Sequence, residues 1–170
     1  KILSISSGSL IVYQLPAELH LDKLRFEQHM LKLNLVDDSG FSLDLTEKHP
    51  IGNIGYLEQA VSVDEFKAQL QNSFDFKVIH LPAEKQSIQK VGFCTGGAQD
   101  FIAKAALQNC DAYISGEVSE RTFYEAKELG VHYFACGHHA TERYGVQRLA
   151  QAISKQFSIE AEYFELNNPI

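Results

Sequence analysis

The fold of this chain is decided by a short segment in which an apolar run ends in two glycines, Val91-Gly-Phe-Cys-Thr-Gly-Gly97. The apolar run is typical of a buried β-strand, and Thr95-Gly96-Gly97 is typical of a tight turn. A helix is predicted directly afterwards, over residues 99–107. The segment therefore predicts a strand, a glycine turn and a helix in immediate succession.

The same order recurs toward the C-terminus. Two further units are predicted, with strands over residues 112–114 and 131–135, turns at Ser115-Gly116-Glu117 and Gly137, a helix over 120–129 that stops at Gly130, and a helix with Val146, Leu149 and Ile153 on one face. Residues 161–166 are predicted to form a last strand. Strands that alternate with helices of this length form βαβ units with right-handed crossovers. The sequence therefore predicts an α/β fold, with a mixed or parallel sheet flanked by helices.

The residues before this pattern are less regular. The predicted elements are a strand over 10–15 that stops at Pro16, a helix over 22–33, a polar and turn-rich stretch over 36–50, a strand-like segment over 52–61, a helix over 64–71, a strand over 76–81 and an exit loop over 82–87. The helix over 64–71 is preceded by Ser62-Val-Asp-Glu65, the pattern of a capping box.

Composition limits the class of protein. The 170 residues suffice for one domain with a proper core, and no apolar run approaches the roughly 18 residues of a membrane span. A net charge of -7 argues against a broad nucleic-acid footprint, which needs clustered lysine and arginine. The 3 cysteines are odd in number and lie in apolar segments, so we expect free thiols and a reducing, cytoplasmic setting. The chain opens on Lys1, and its only methionine is Met30, so we expect further residues upstream.

The three turns of the βαβ region carry polar groups. In a parallel sheet, the loops that follow the strands emerge at one edge, where ligands bind. Topology therefore brings together Thr95-Gly96-Gly97, Ser115-Gly116-Glu117 and Gly137-His138-His139. If the last helix begins near His138, then Glu142 lies one turn further on the same face. An imidazole and a carboxylate at this spacing form a two-ligand clamp for zinc, manganese or iron.

Each part of this edge also has a plainer interpretation. A histidine and a glutamate in the first helical turn also occur as a capping or surface arrangement. Thr95-Gly96-Gly97 can present N–H groups to an anion, or need glycine only for its dihedral angles. Glu117 and Glu120 flank the predicted cap Ser119, and Glu117, nearer the strand, is the better functional candidate.

The remaining histidines are assigned by position. His139 is adjacent to the clamp and does not share its helix face, so a supporting or substrate-contacting role fits it better than ligation. His20, His80 and His132 have no assignable partner in the sequence and are predicted to be structural.

Four motifs in order carry a family resemblance: Val91-Gly-Phe-Cys-Thr-Gly-Gly-Ala-Gln-Asp-Phe-Ile102, Ile114-Ser-Gly-Glu-Val-Ser-Glu120, Gly137-His-His-Ala-Thr-Glu-Arg-Tyr-Gly145 and Asn168-Pro-Ile170. They resemble the GTP cyclohydrolase I type 2 homologues, also called Nif-three-like proteins. More loosely, residues 13–20 resemble the family's Tyr-His-x-Pro-Leu-Asp-x-His segment. The resemblance implies a single domain over residues 1–170 that lacks the family's N-terminal part, with a less certain middle over 36–88.

The resemblance also implies a two-lobed α/β fold, a ring-shaped homohexamer and two divalent metal ions per subunit. Carried over by position, the metal ligands fall on His138, on Glu142 and on Glu18, which replaces an aspartate. Two positions depart from the family. Its strand histidine is Gln14 here, and its adjacent His-His pair lies upstream of Lys1.

The leading functional hypothesis is a metal-dependent hydrolase that opens a nucleotide ring, with Glu117 as a proton carrier and a small-molecule substrate. The alternative is a non-catalytic ring-forming scaffold or regulatory protein whose metal site is incomplete. A third possibility is a truncated paralogue retained only for folding or assembly.

Overall fold

The computed structural model describes residues 2–4, 11–13, 35–42, 52–166 and 168. The predicted helix over 22–33, together with Gln14, Glu18 and His20, lies outside these residues. The described part forms two compact units. One contains two short strands and the residues from Arg143 onward, and the other contains a six-stranded sheet with the helices up to Glu142.

The strands are β1 (Ile2–Ser4), β2 (Ile11–Tyr13), β3 (Leu35–Ser42), β4 (Asn53–Ser62), β5 (Ile79–Leu81), β6 (Ser87–Phe93), β7 (Ala112–Ser115) and β8 (His132–Ala135). The helices are α1 (Val63–Phe74), a 3₁₀ turn (Gln99–Phe101) that leads into α2 (Ile102–Leu107), α3 (Glu120–Leu129) and α4 (His138–Phe157). β1 and β2 pair antiparallel with each other.

The larger sheet has the strand order β3-β4-β6-β7-β8-β5. Its centre, β6-β7-β8, is parallel, whereas β3, β4 and β5 are antiparallel to their neighbours. The predicted α/β class with a mixed sheet is confirmed. Because β6, β7 and β8 run in the same direction, their exit loops leave the sheet at one edge.

Burial on both faces explains the apolar central strands. Every residue of β7 and β8 is buried. On β8, Tyr133 belongs to a core cluster with Ala105 of α2 and Ala126 of α3. Its neighbour Phe134 meets Phe66 of α1 edge to face, with ring centroids 5.3 Å apart. Adjacent strand residues point to opposite faces, so helices cover the sheet on both sides.

Local capping signals fix the helix ends. Ser62 accepts a hydrogen bond from the Glu65 N–H at 3.2 Å, and α3 begins after Ser119 and ends at Gly130, as predicted. α1 runs one turn beyond its predicted end because Asp75, not Gln71, stops it in the left-handed conformation with φ 51°.

Three predicted stretches differ from the structure. Residues 36–42 of the predicted turn-rich stretch belong to β3, because β4 supplies a pairing partner, with a register irregularity between Asp37 and Ser42. The rest of that stretch, residues 43–50, lies outside the described residues. The predicted strand over 76–81 is confined to β5. The predicted exit loop over 82–87 is one residue shorter, since Ser87 pairs with Ser62 as the first residue of β6.

The predicted strand over 161–166 was wrong. Within the described part of the chain this segment joins no sheet. Arg143 of α4 lies 3.7 Å from Glu165, and within the segment the Tyr163 hydroxyl donates to Glu165 at 2.7 Å. Phe164 is 74% exposed, so the apolar residues that suggested a strand do not enter a core.

Among the helices of the described residues, none combines the length and the apolar character needed to cross a membrane. The three cysteines are buried thiols that form no disulfide within the described residues, and burial raises the pKa of Cys110 to about 11.

Candidate metal centre

The exit loops of β6, β7 and β8 meet at the carboxyl edge of the sheet. The Gly116 N–H donates to the Gly96 carbonyl at 2.9 Å, and the Cys136 N–H donates to the Ser115 carbonyl at 2.8 Å. A Cβ atom added to Gly116 would lie 2.8 Å from the Cα of His138. The three polar turns found in the sequence are therefore in direct contact.

His138 lies between two carboxylates at this edge. Its Nδ1 is 2.5 Å from Oε1 of Glu117, and its Nε2 is 3.3 Å from Oε2 of Glu142. The hydrogen bond with Glu117 raises the pKa of His138 above its usual 6.5; partial burial opposes this rise, and the charge of Glu142 adds to it. The side chain of His138 is 41% exposed, so the cluster is open to solvent.

Gly96 forms the floor beneath His138 and Glu142. Its φ is +70°, a conformation in which glycine carries no penalty. A Cβ atom at this position would lie 3.0 Å from Nε2 of His138 and would collide with the Glu142 carboxylate. The loop therefore needs glycine here for space as well as for its dihedral angles.

The neighbouring residues of this loop bear on the predicted anion cradle. The Gly96 N–H already donates a hydrogen bond to Oγ1 of Thr141, at 3.1 Å. A Cβ atom at Gly97 would lie 3.3 Å from the Glu117 carboxylate. The Thr95 hydroxyl oxygen is buried without a partner within the described structure. The cradle remains a prediction, and an anion here would have to lie close to a negative charge.

Two tyrosines support the loops from below, and sequence reasoning missed both. The Tyr133 hydroxyl donates to the main-chain carbonyl of Glu117, and the Tyr113 hydroxyl donates to that of Ala98 at 2.7 Å. Burial raises the pKa of both phenols, so each stays protonated as a donor. Their strand positions predicted only an apolar core.

The donor set fits part of a metal site. A ligating histidine normally uses one ring nitrogen for the ion and donates the other N–H to a carboxylate. Nδ1 of His138 has that partner in Glu117, so Nε2 and the Glu142 carboxylate are the candidate ligand pair. No group of three or more candidate ligands occurs in the segments that the structure describes. Glu18, the third predicted ligand, lies outside them.

Two of the three histidines predicted to be structural, His80 and His132, form a separate cluster. His132 is 2% exposed; its Nε2 lies 2.8 Å from the Lys85 carbonyl, and its Nδ1 lies 3.2 Å from the Ala83 N–H. His80 contacts the same Nδ1 at 3.0 Å and stacks on Phe134. Both histidines have partners, which the sequence did not reveal because these contacts link separate strands.

Comparison with known proteins gives the family. Residues 11–169 match the Duf34/NIF3 family, NGG1p interacting factor 3. The chain is similar to the GTP cyclohydrolase 1 type 2 homolog of Vibrio cholerae serotype O1, with 34% identity over 166 residues that cover 95% of this chain and 64% of that protein. It is similar to the protein of the same name from Pasteurella multocida, with 36% identity over 99% of this chain and 66% of that protein.

A solved structure has the same fold. The solved structure of protein ybgI, of unknown function, superimposes on this chain with a TM-score of 0.80 and 29% sequence identity. The match covers 95% of this chain and 63% of ybgI. The chain thus spans just under two thirds of the length of these three proteins. A family match over nearly all of the chain and a common fold lead to the same assignment: the chain belongs to the Duf34/NIF3 family.

Proposed function

We propose that this chain binds a divalent metal ion through His138 and Glu142, and that the whole protein is a metal-dependent hydrolase of the GTP cyclohydrolase type 2 kind. The observation that carries the metal proposal is the geometry of His138. Its Nδ1 is bound to Glu117, while its Nε2 faces Glu142 over the glycine floor at Gly96. This arrangement leaves Nε2 of His138 and the Glu142 carboxylate side by side, 3.3 Å apart, as possible ligands of one ion.

The residues present would divide the work as follows. His138 and Glu142 would hold the ion, with Glu18 and residues upstream as further ligands. Bound there, the ion would supply Lewis-acid activation of water for hydrolysis. Glu117 orients the His138 ring, which the contact supports better than the proton-carrier role predicted from the sequence.

Metal analysis tests the ligand assignment. Full-length protein is stripped of metal and titrated with Mn²⁺ or Zn²⁺, alongside His138→Ala and Glu142→Ala. Each variant should lose more than about 100-fold in affinity, because removing a ligand costs more than removing its outer partner. Glu120→Ala, an exposed carboxylate in the first turn of α3, is the control and should bind normally. Unchanged binding in both clamp variants would refute the proposal.

The substrate class is tested separately. The relatives' name suggests GTP as the first probe. Metal-loaded full-length protein should consume GTP by opening the purine ring, followed by absorbance and chromatography, and His138→Ala should not. Normal metal binding without turnover of GTP would remove the hydrolase assignment and keep the metal site.

A non-catalytic scaffold is the second candidate. The described residues supply only two ligands at the clamp, and Glu117 is engaged by His138. We infer a homohexameric ring in this case as well. Light scattering of the full-length protein, with and without metal, would test that assembly. A stable ring with bound metal and no hydrolytic activity would favour the scaffold.

A further inference from the structure

We propose that Thr141 is a positioning residue of the metal centre: its buried hydroxyl ties the Gly96 N–H to the first turn of α4 and thereby fixes the distance between Gly96 and the pair His138 and Glu142. The inference rests on the proposed metal site and adds a residue to it. Thr141 is not a predicted ligand; it lies three residues after His138 and directly before Glu142.

The hydroxyl of Thr141 both accepts and donates hydrogen bonds. It accepts from the Gly96 N–H at 3.1 Å and lies 2.9 Å from the Gly137 carbonyl and 3.0 Å from the His138 carbonyl, to which it donates. The residue is 1% exposed, so water does not replace these partners. One side chain therefore connects the exit loop of β6 to the exit loop of β8.

The backbone of Gly96, whose N–H binds Thr141, is also held through its carbonyl oxygen. Its carbonyl accepts from the Gly116 N–H at 2.9 Å and from the Ser115 hydroxyl at 3.1 Å. All three exit loops thus meet at the backbone of this one residue. With its N–H and carbonyl both bound, Gly96 has a defined position beneath Nε2 of His138.

The distance between this floor and the clamp depends on Thr141. α4 carries both His138 and Glu142. The Thr141 hydroxyl, in the first turn of that helix, accepts a hydrogen bond from the Gly96 N–H. Without the hydroxyl, the Gly96 N–H loses its acceptor in a buried place, and the loop must shift toward another partner. A shift of Gly96 displaces the side chains of His138 and Glu142, because the gap between them and Gly96 is too small to hold even a Cβ atom.

A purely structural role must be separated from a positioning role. Three variants of the full-length protein make this distinction. Thr141→Val keeps the shape and removes the hydroxyl, and Thr141→Ser keeps the hydroxyl and removes the methyl group. Ser62→Ala is the stability control, since Ser62 caps α1 and pairs with Ser87, at the end of the sheet away from Phe93 and the metal centre.

The readout is the affinity for Mn²⁺ measured by electron paramagnetic resonance, with the Co²⁺ absorption spectrum as a report on ligand geometry. Thr141→Val should lose about 10- to 100-fold in affinity, as partners behind metal ligands do, and its Co²⁺ spectrum should change. Thr141→Ser should stay within about threefold of the wild type. Ser62→Ala should lower Tm by several degrees and leave the affinity unchanged.

The possible failures are distinguishable. If Thr141→Val loses Tm like Ser62→Ala yet binds Mn²⁺ as the wild type does, Thr141 contributes only to stability, and the inference is overturned while the metal site stands. If the wild type and His138→Ala bind metal equally, the proposed function fails and the inference falls with it. Loss of affinity in Thr141→Ser equal to that in Thr141→Val would also overturn it, because packing rather than the hydroxyl would be responsible.

Discussion

The two ends of strand β8 each carry a histidine, and the two side chains have opposite surroundings. His132, the first residue of the strand, is buried among neutral partners: two main-chain groups and the ring of His80. His138, just beyond the other end, lies half exposed between Glu117 and Glu142. Neutral partners hold the ring of His132 in place, whereas carboxylates favour the protonated form of a ring or a cation in its place.

The difference follows from the sheet itself. β6, β7 and β8 are parallel, so their carboxyl ends form one open edge with three polar loops. At the amino end of β8, the antiparallel strand β5 places His80 against His132 and closes the space. One residue type therefore serves stability at one end and supports the proposed metal site at the other.

The largest expected effect is the loss of His132. Replacing His132 by alanine removes a buried ring and leaves the Lys85 carbonyl and the Ala83 N–H without their partner. We expect the free energy of unfolding to fall by about 3 kcal/mol, measured by urea denaturation. His138→Ala, the matched change at the other end, should alter it by less than about 1 kcal/mol. Equal losses in the two variants would abolish the contrast.

The second expected effect is a loss of stability in acid from His80. Burial, His132 and Lys67 lower the pKa of His80 from 6.5 to about 4, and Asp64 opposes them. A lowered folded pKa means that the unfolded chain binds more protons between pH 6.5 and 4. Stability should therefore fall on acidification through this window, by on the order of 2 kcal/mol.

His80→Gln tests the assignment of this acid loss. Glutamine keeps a donor for His132 and has no titration, so the stability profile between pH 6.5 and 4 should become flatter. Asp111 contributes at lower pH: burial opposes its ionisation, but Lys85 and the N–H groups of Lys90 and Gln89 outweigh this and lower its pKa. A His80→Gln profile identical to the wild type would place the acid sensitivity elsewhere.

Local signals explain what the sequence predicted well. The strand, turn and helix order after Val91 follows from apolar runs, glycines and caps that lie within a few residues of one another. The i, i+4 spacing of His138 and Glu142 is equally local, and the meeting of the three exit loops follows from topology alone.

Contacts between residues far apart in the chain explain the features that the sequence did not predict. β3 exists because β4 pairs with it, and residues 161–166 lack such a strand within the described structure. The His80–His132 contact joins residues 52 positions apart. Nothing in the order of residues shows that Tyr133 reaches the Glu117 carbonyl, or that Thr141 accepts from Gly96.

The third expected effect concerns alanine substitutions at two glycines, which distinguish a steric clash with the metal centre from backbone strain alone. Gly96 and Gly130 have nearly the same left-handed φ, +70° and +67°, but only Gly130 has open space around its Cα. Alanine at either position should cost about 1 kcal/mol of stability from the backbone alone. Gly96→Ala should in addition displace Glu142 and reduce Mn²⁺ affinity at least about tenfold.

Gly130→Ala should bind Mn²⁺ normally, so the difference between the two variants measures the steric effect on the clamp. Equal Mn²⁺ affinities in the two alanine variants would show that the floor at Gly96 does not set the position of Glu142.

The smallest expected effect concerns the charge of Glu117. Glu117→Gln retains an oxygen that accepts from Nδ1 of His138 but removes the negative charge, so the geometry is kept while the electrostatics change. In metal-free protein the pKa of His138, followed by NMR titration of its ring, should fall toward 6.5. Glu120→Gln is the matched control and should leave this pKa unchanged.

The sign of the stability effect follows from the direction of the shift. Because the folded pKa of His138 is raised, its protonation stabilises the fold fully below about pH 6.5, and this contribution is lost as the pH rises through the folded value. Glu117→Gln should therefore be slightly less stable than the wild type in acid and equal to it in base. The ring is half exposed, so solvent screening keeps the difference small. An unchanged His138 pKa in Glu117→Gln would mean that the carboxylate does not hold the ring, and the two ends of β8 would then differ in exposure alone.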